Sequence, residues 1–319
     1  MWNITDLLIA FLISSVTVLF VTPLIIKIAN TCNVVDKPDN NRKLHTCTTP
    51  SMGGLAIFIG VAAGFLYLQP MDEHMNAIVI GALIMLITGL LDDIFNLKPI
   101  YKLAGQISAA LVVAFSGLII EKLSIPFLGT VYLYEFGFFI TIFWIVAAAN
   151  VINLIDGLDG LAAGVSTIAL ASILVMGIMD GRILVIALCV ILIGSCLGFL
   201  FHNFHPAKIF MGDTGALFLG YSIAIVSMLG LFKNVAFFSF LVPIIVLGIP
   251  VFDTCCAIIR RVINKQGIAV ADKKHIHYRL MNMGYSHRTT VLILYAFSTF
   301  FGITAIIFNS TRLLTSLVV

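Results

Sequence analysis

Charged residues are scarce in this sequence. Asp, Glu, Lys and Arg make up 10% of its 319 residues, whereas a soluble domain carries roughly 25%. Hydrophobic residues make up 61%, which is more apolar surface than a soluble fold of this size could bury. The composition therefore excludes both a water-soluble globular protein and a disordered chain. The net charge of +3 is too small to indicate a nucleic-acid partner.

Cysteine is also infrequent, and its placement excludes a disulfide scaffold. The six cysteines form no CxxC pair, and they fall in apolar runs or in the loops that carry most of the basic residues. Reduced or buried thiols are therefore expected. The first apolar run has Asp6 near its start and no basic stretch before it, so we do not expect it to be a secretory signal.

Apolar runs long enough to cross a bilayer fill most of the chain. Because these runs are unbroken rather than alternating, they favour helices over strands. We expect an all-α, polytopic integral membrane protein whose residues 1–319 form a single domain. Ten spans are predicted, near residues 4–26, 52–69, 76–91, 103–120, 137–152, 161–179, 183–201, 215–232, 235–256 and 290–309.

The distribution of basic residues predicts the orientation in the membrane. Fourteen of the 18 lysines and arginines fall in the loops on one side of the ten predicted spans, and the other side has Lys122, Arg182, Lys233 and Arg312. Cytoplasmic loops retain positive charge, so this pattern places the first set in the cytoplasm and both termini outside. Most histidines and the aspartates at span ends sort to the same side, which predicts a cytoplasmic active site.

Two segments place carboxylates and amides at cytoplasmic span ends. Asp92 and Asp93 follow the apolar run IMLITGLL; adjacent carboxylates at a membrane boundary indicate either a solvated helix end or a site that compensates their charge. In AANVINLIDGLDGL, residues spaced i, i+3, i+6 and i+9 share one helix face: Asn150, Asn153, Asp156 and Asp159. Hard oxygen ligands of this kind suit Mg²⁺.

A third segment, HNFHPAKIFMGDTGALFLG, places Asp213 between glycines at the start of a span. Phe210 offers a ring on which a base could stack, and Asn203 offers an amide. The HxxH pair of His202 and His205 suggests zinc only weakly, because the sequence shows no further ligands at the expected spacing.

Two basic cytoplasmic loops carry the remaining candidates. The loop 257–289 contains HIHYR, whose His275, His277 and Arg279 offer donors for a phosphate or pyrophosphate. The first loop contains Arg42, Lys43 and His45. The Gly53-Gly54 pair that follows is weak support for a phosphate-binding turn, and a linker with topogenic charge explains the first loop equally well. In the loop 257–289, topogenic charge explains Arg260, Arg261 and Lys265 but not HIHYR.

Together, these segments resemble the polyprenyl-phosphate N-acetylhexosamine-1-phosphate transferases, a family that includes the WecA and TagO proteins and, more distantly, the MraY translocases. Five segments appear in the family's order over nearly the whole chain: DKPDNNRKLH with PSMGG, the DD after the third span, NVINLIDGLDGL, FMGDTGALFLG and HIHYRL. HIHYR is similar to the HIHHR of the hexosamine branch, from which Tyr278 departs. The overall pattern looks closest to the TagO proteins.

The resemblance implies transfer of GlcNAc-1-phosphate from UDP-GlcNAc to undecaprenyl phosphate, with release of UMP, in the bacterial plasma membrane. This reaction is the first membrane step of teichoic acid or surface polysaccharide synthesis. The resemblance implies Mg²⁺, or Mn²⁺ in its place, held by Asp213 and Asp93, and catalytic roles for Asp92, Asp93 and Asp213. The substrate-binding residues that it implies are Lys43, Asn150, Asn153, Asp156, Asp159, Asn203, Phe210, His275, His277 and Arg279.

Several alternatives stay open at the level of sequence. An MraY-like enzyme would take UDP-MurNAc-pentapeptide instead, although HIHYR argues against it. A transporter would place its polar residues near the membrane midplane and often in repeated halves, whereas here they gather on one face. The choice between direct displacement and a phosphorylated aspartate is open, as is a homodimeric state.

Overall fold

Helices dominate the structure, a computed structural model that describes residues 2–36, 48–125, 129–232, 247–248, 251–253, 256 and 276–318. The helices are α1 (Ile4–Thr31), α2 (Gly53–Leu68), α3 (Met75–Phe95), α4 (Pro99–Phe115), α5 (Phe136–Ile155), α6 (Leu161–Met179), α7 (Ile183–Asn203), α8 (Gly212–Ser227), α9 (Ile276–Asn282) and α10 (His287–Val318). A π-helical turn, Met228–Phe232, continues α8.

The described residues also contain two pairs of short antiparallel strands. In the first, β1 (Val35–Asp36) pairs with β2 (Thr49–Pro50). In the second, β3 (Lys122–Ile125) pairs with β4 (Gly129–Tyr132). Neither hairpin is long enough to form a layer of its own, so the all-α architecture expected from the sequence is confirmed.

Seven of the described helices are long and apolar enough to cross a membrane, and α2 and α4 are shorter apolar helices. The protein is therefore a multi-pass membrane protein. Each predicted span has a described helix at its position except 235–256, which lies almost wholly outside the described residues. The count of ten spans and the external termini stay predictions.

The predicted span 103–120 lies four to five residues too far along the chain. Pro99 occupies the first turn of α4, where its missing N–H costs nothing and its φ angle favours a helix. The helix ends at Phe115, and Gly117 then turns the chain with a φ of +91°. Hydropathy detects neither Pro99 nor Gly117 as a helix boundary. The apolar run begins only after Lys102, so the predicted span starts after the true start of the helix.

Helix α8 forms the centre of the bundle, where it packs against α2, α3, α5 and α6. Every residue from Thr214 to Ser227 is buried. Since lipid tails are as apolar as a helix surface, packing in a membrane depends on close backbone approach at small residues. At Gly54 of α2, a Cβ atom would overlap the backbone of Gly215, so this glycine pair sets the crossing of α2 and α8.

The chain directions bring polar ends of several helices together at one end of the bundle. Helix α3 ends there with its two aspartates, the last turn of α5 carries Asn153 there, and the first turn of α8 carries Asp213 there. Because α8 is enclosed by its neighbours, Asp213 faces these other ends rather than the lipid.

Candidate active site

The carboxylate of Asp93 caps the N-terminus of α8. Its Oδ1 accepts a hydrogen bond from the backbone N–H of Asp213 (2.8 Å). Its Oδ2 accepts from the backbone N–H (3.1 Å) and the hydroxyl (2.5 Å) of Thr214. These bonds satisfy donors that every helix start leaves unpaired, and they lock the end of α3 to the start of α8.

Gly212 permits this contact between helices. Its φ of +71° lies in the left-handed region, and a Cβ atom there would overlap the carboxylate of Asp93. The glycine before Asp213 is thus required both for backbone conformation and for space.

Lys102 joins the remaining catalytic candidates. Its Nζ lies 3.0 Å from Oδ2 of Asp92, donates to Oδ1 of Asn153 at 3.1 Å, and also forms an ion pair with Asp213. Nδ2 of Asn153 donates to the other oxygen of Asp213 at 2.5 Å. The side chains of Lys102 and Asp92 are mostly buried, at 16% and 13% exposed, so solvent screens this network less than a surface ion pair.

One helical turn deeper, Asn150 pairs with Gln106. Nδ2 of Asn150 donates to Oε1 of Gln106 at 2.6 Å, and Nε2 of Gln106 returns a bond of 3.4 Å. Gln106 is 1% exposed. The pair holds α4 against α5 and so orients Lys102 and Asn153 above it, while the predicted contact of Asn150 with substrate stays untested.

Asp159 links three separate segments. Its Oδ2 accepts from Nδ1 of His205 (2.7 Å) and from the backbone N–H of Ala207 (3.1 Å). Oδ1 lies 3.8 Å from Nε2 of His287, the first residue of α10. The loop between α5 and α6 is thereby tied to the loop after α7 and to α10.

Asn203 makes a second tie between these loops. Its Oδ1 accepts from the N–H of Gly160 (3.0 Å), and its Nδ2 donates to the carbonyl of Ile209 (2.8 Å). The residue is 4% exposed. These bonds position the backbone around the site, and the substrate contact predicted for Asn203 remains a prediction.

The Gly53-Gly54 pair does not present its N–H groups to a ligand. The N–H of Gly53 donates to the carbonyl of Phe210 (2.9 Å), and that of Gly54 donates to the carbonyl of Met211 (2.8 Å). The suggestion of a phosphate-binding turn at this pair is therefore wrong. The glycines serve instead to dock α2 onto the segment that precedes α8.

A polar cavity of about 340 Å³ opens among these groups. Six of the predicted site residues line it: Asp93, Asp156, Asp159, Asn203, Phe210 and Asp213. Asp156 lies in the loop after α5, where burial and the negative charges of Asp213, Asp93 and Asp159 raise its pKa to about 8. So many carboxylates around one cavity indicate a site that receives a cation.

The other predicted residues are placed less completely. Lys43 and His275 lie outside the described residues, and only the backbone of His277 is described, within α9. Arg279 of α9 is exposed, whereas its neighbour Tyr278 lines the cavity. Asp253 accepts a hydrogen bond from the N–H of Ile276 at 3.0 Å, which holds the start of α9 near the site.

Sequence reasoning missed Lys102, Gln106 and His287. The signal for Lys102 and Gln106 was their i, i+4 spacing, which places two polar side chains on one face of an otherwise apolar helix. At the level of sequence, Lys102 is explained by topogenic charge alone. His287 gave no signal, because it lies 128 residues from Asp159 in the sequence.

The chain is similar to known membrane transferases over nearly all of its length. It is 50% identical over 315 residues to the "Probable undecaprenyl-phosphate N-acetylglucosaminyl 1-phosphate transferase" of Bacillus subtilis, covering 98% of this chain and 87% of that protein. It is 35% identical to the "Decaprenyl-phosphate N-acetylglucosaminephosphotransferase" of Mycobacterium leprae, covering 96% and 85%. It is 27% identical to the "Undecaprenyl-phosphate alpha-N-acetylglucosaminyl 1-phosphate transferase" of Escherichia coli K12, covering 91% and 79%.

A family model agrees with these relatives. Residues 75–231, which run from α3 through the turn after α8, match the model described as "Glycosyl transferase family 4". The matched part contains Asp92, Asp93, Lys102, Asn153 and Asp213, so it includes the central network of the site. The chain therefore belongs to glycosyl transferase family 4, in the WecA and TagO branch that its motifs resemble.

Proposed function

We propose that this protein transfers GlcNAc-1-phosphate from UDP-GlcNAc to undecaprenyl phosphate. An oxygen of the lipid phosphate forms a bond to the β-phosphorus of the donor, the bond from that phosphorus to the bridging oxygen breaks, and UMP leaves with the electron pair. The observation that carries the proposal is the network of Asp92, Lys102, Asn153 and Asp213 at one end of a membrane bundle. The names of the relatives supply the undecaprenyl-phosphate acceptor and the N-acetylglucosaminyl 1-phosphate group, and UDP-GlcNAc is the donor that the motif resemblance implies.

The network suits a reaction between two anions at a membrane surface. Phosphoryl transfer depends on positioning and charge neutralisation more than on covalent chemistry by the protein. Lys102 lies between Asp92 and Asp213, where its ammonium group can form an ion pair with a substrate phosphate. Asn153 and the Gln106–Asn150 pair orient Lys102 for that contact.

The donor set suits Mg²⁺, with Mn²⁺ as a substitute, because it consists of carboxylate and amide oxygens. We assign Asp213 as the first ligand. Asp93 already accepts three hydrogen bonds, which leaves about one of its four lone-pair positions free; its larger role is to position Asp213. The ion supplies positive charge to the phosphates when it is bound.

Asp92 is the residue that we assign to the acceptor. Its carboxylate is not part of the α8 cap, so it can accept a proton from a lipid phosphate that arrives protonated. The geometry accommodates direct attack by that phosphate and also prior transfer to an aspartate. Trapping a phosphorylated protein with labelled donor in the absence of acceptor distinguishes the two routes.

The donor is assigned to the polar cavity of about 340 Å³. Phe210 offers a face for uracil, and stacking on an aromatic ring is worth roughly 1–3 kcal/mol per base. Phe210→Ala is therefore expected to raise the KM for UDP-GlcNAc about tenfold. Asp156 and Asp159 line the same cavity, and the basic loop with His275, His277 and Arg279, together with Lys43, is assigned to the pyrophosphate and sugar.

One assay tests the proposal. The purified protein in detergent receives Mg²⁺, undecaprenyl phosphate and either labelled UDP-GlcNAc or labelled UDP-MurNAc-pentapeptide. We expect lipid-linked label only from UDP-GlcNAc, with equimolar UMP. Asp213→Asn should abolish it, and Asp6→Asn, at the start of α1, should not. Label from the pentapeptide donor instead would assign the protein to the MraY-like activity. In cells, we place the reaction in the bacterial plasma membrane, at the start of teichoic acid or surface polysaccharide synthesis.

A further inference from the structure

Asp159, His205 and His287 form a second group of metal-ligand type beside the catalytic network. One ligand atom from each lies within 4.8 Å of the other two. Nδ1 of His205 is 2.7 Å from Oδ2 of Asp159, and Nε2 of His287 is 3.8 Å from Oδ1. We propose that these three side chains bind a transition metal ion of the Zn²⁺ class, at a site separate from the one assigned to Mg²⁺ at Asp213.

The chemistry of the three ligands favours such an ion over Mg²⁺. Two imidazoles and one carboxylate suit Zn²⁺, Co²⁺ or Ni²⁺, whereas Mg²⁺ prefers oxygen ligands. Zinc binds nitrogen and carboxylate oxygen at about 2.0–2.2 Å, so ligand atoms around a tetrahedral ion lie about 3.4 Å apart. One ligand atom from each residue lies within 4.8 Å of the other two, so the side chains would draw together by about 1 Å as the ion binds.

The surrounding structure holds the three side chains together. The imidazole rings of His205 and His287 stack with centroids 4.2 Å apart. Arg288 donates to the carbonyl of His205 at 3.1 Å, and Ala207 donates to Asp159. The N–H of Asp159 donates to Nε2 of His287 at 3.3 Å, so this nitrogen carries the lone pair of the ring and would exchange that long hydrogen bond for the metal. Outer contacts of this kind orient ligands in metal sites.

The fourth coordination position would face the polar cavity, since all three residues line it. Three protein ligands with one open position leave room for water or for a phosphate oxygen. A bound ion would hold Asp159 and occupy part of the donor cavity, so we expect it to inhibit transfer. Only this inhibition rests on the proposed function; the binding of the ion does not.

Cobalt absorption tests the site directly. Metal-free, full-length protein in detergent is titrated with Co²⁺ in saturating Mg²⁺, which protects the oxygen site at Asp213. We expect the intense visible bands of a low-coordinate Co²⁺ site, displaced by Zn²⁺. His205→Gln and His287→Gln should each raise the Kd for Co²⁺ at least about tenfold. His202→Gln and Asp213→Asn, as controls, should leave it within about twofold. Gel filtration and thermal unfolding verify that each variant is folded.

Three results would overturn the site: no intense bands in the wild type, an unchanged Kd in both folded histidine variants, or loss of binding in His202→Gln. The last would assign the metal to the HxxH pair instead.

Zn²⁺ is then added to the transferase assay. Inhibition that His287→Gln relieves supports the consequence for transfer, whereas bands without inhibition separate the ion from the donor cavity. Inactivity on UDP-GlcNAc with normal bands would refute the proposed function and leave the metal site standing.

Discussion

Lys102 contacts Asp92, Asn153 and Asp213 at the same time. Replacing it with methionine keeps most of the unbranched side chain, which becomes one atom shorter, and removes the charge. We expect Lys102→Met to lower kcat/KM for UDP-GlcNAc at least about a hundredfold, because a buried charge aimed at a reacting phosphate contributes on the order of a hundredfold or more. Initial rates of lipid labelling measure the effect.

The matched control is Lys98→Met, which removes a lysine from the exposed start of the same helix. Its rate should remain within about twofold of the wild type. Equal losses in the two variants would mean that Lys102 acts only through the general positive potential of this face.

The binding of Mg²⁺ should depend on pH through Asp156. Its pKa is raised to about 8, so the side chain is protonated at neutral pH in the metal-free protein, and a cation bound beside it favours loss of that proton. The Kd for Mg²⁺ should therefore fall as the pH rises toward 8, by at most about tenfold per unit, and level off above it.

Calorimetric titration at pH 6, 7 and 8 measures this dependence. Asp156→Asn has no proton to lose at that position, so its Kd should vary much less with pH. A wild-type Kd that is constant over this range would place Asp156 outside the influence of the metal.

At this scale the sequence predicts the acidic part of the site well. Asp92, Asp93, Asn153 and Asp213 stand out because carboxylates and amides are costly beside long apolar runs. Lys102 does not stand out, because a lysine near a cytoplasmic span end is already explained by topology. The contact between His287 and Asp159 depends on how α10 packs against the bundle. The local sequence around either residue contains no information about that packing.

The junction of α3 and α8 is the element on which the site depends most. In Gly212→Ala, a β-carbon would both strain a φ of +71° and overlap the carboxylate of Asp93. We expect transferase activity to fall at least about tenfold, because displacement of Asp93 removes the cap and shifts Asp213. The rate and the thermal unfolding temperature should be measured together.

Gly181→Ala separates strain from overlap. Gly181 has a similar φ of +64°, with no atom within 4 Å of a Cβ placed there. Both substitutions should cost about 1–2 kcal/mol of stability through the backbone, but Gly181→Ala should keep activity within about twofold. Comparable losses of activity would show that backbone strain alone accounts for the effect.

Helix positions follow from hydropathy with few errors, yet helix pairings do not. The runs that become α5, α6 and α7 have nearly the predicted bounds, since each is long and uninterrupted. Gly54 packs directly on Gly215 because neither residue has a Cβ atom. Hydropathy does not predict this contact, because it scores glycine like any other small residue. The same limit explains why the Gly53-Gly54 pair suggested a ligand.

For the whole molecule, the expected orientation can be tested with Cys32, which is exposed just after α1. In a variant that retains only this cysteine, a membrane-impermeant maleimide should label the protein in permeabilised bacterial cells and not in intact ones. The reason is that Cys32 lies on the side predicted to be cytoplasmic.

Tyr134→Cys, with Cys32 also replaced, is the control at the opposite end of the bundle. Tyr134 is 81% exposed, so this variant should be labelled in intact cells. The reverse pattern would place the active site outside the cell, where UDP-GlcNAc is not available.

The cap that Asp93 forms on α8 also bears on drug resistance. A compound that fills the cavity would contact groups that hold the bundle together as well as groups that meet the substrate. A cell that altered Asp93, Gly212 or Asp213 to evade such a compound would damage its own transferase. We therefore expect escape substitutions to arise at positions such as Tyr278, which lines the cavity but lies in α9, outside the junction of α3 and α8. Inhibitors that make little contact with such positions should retain their potency longest.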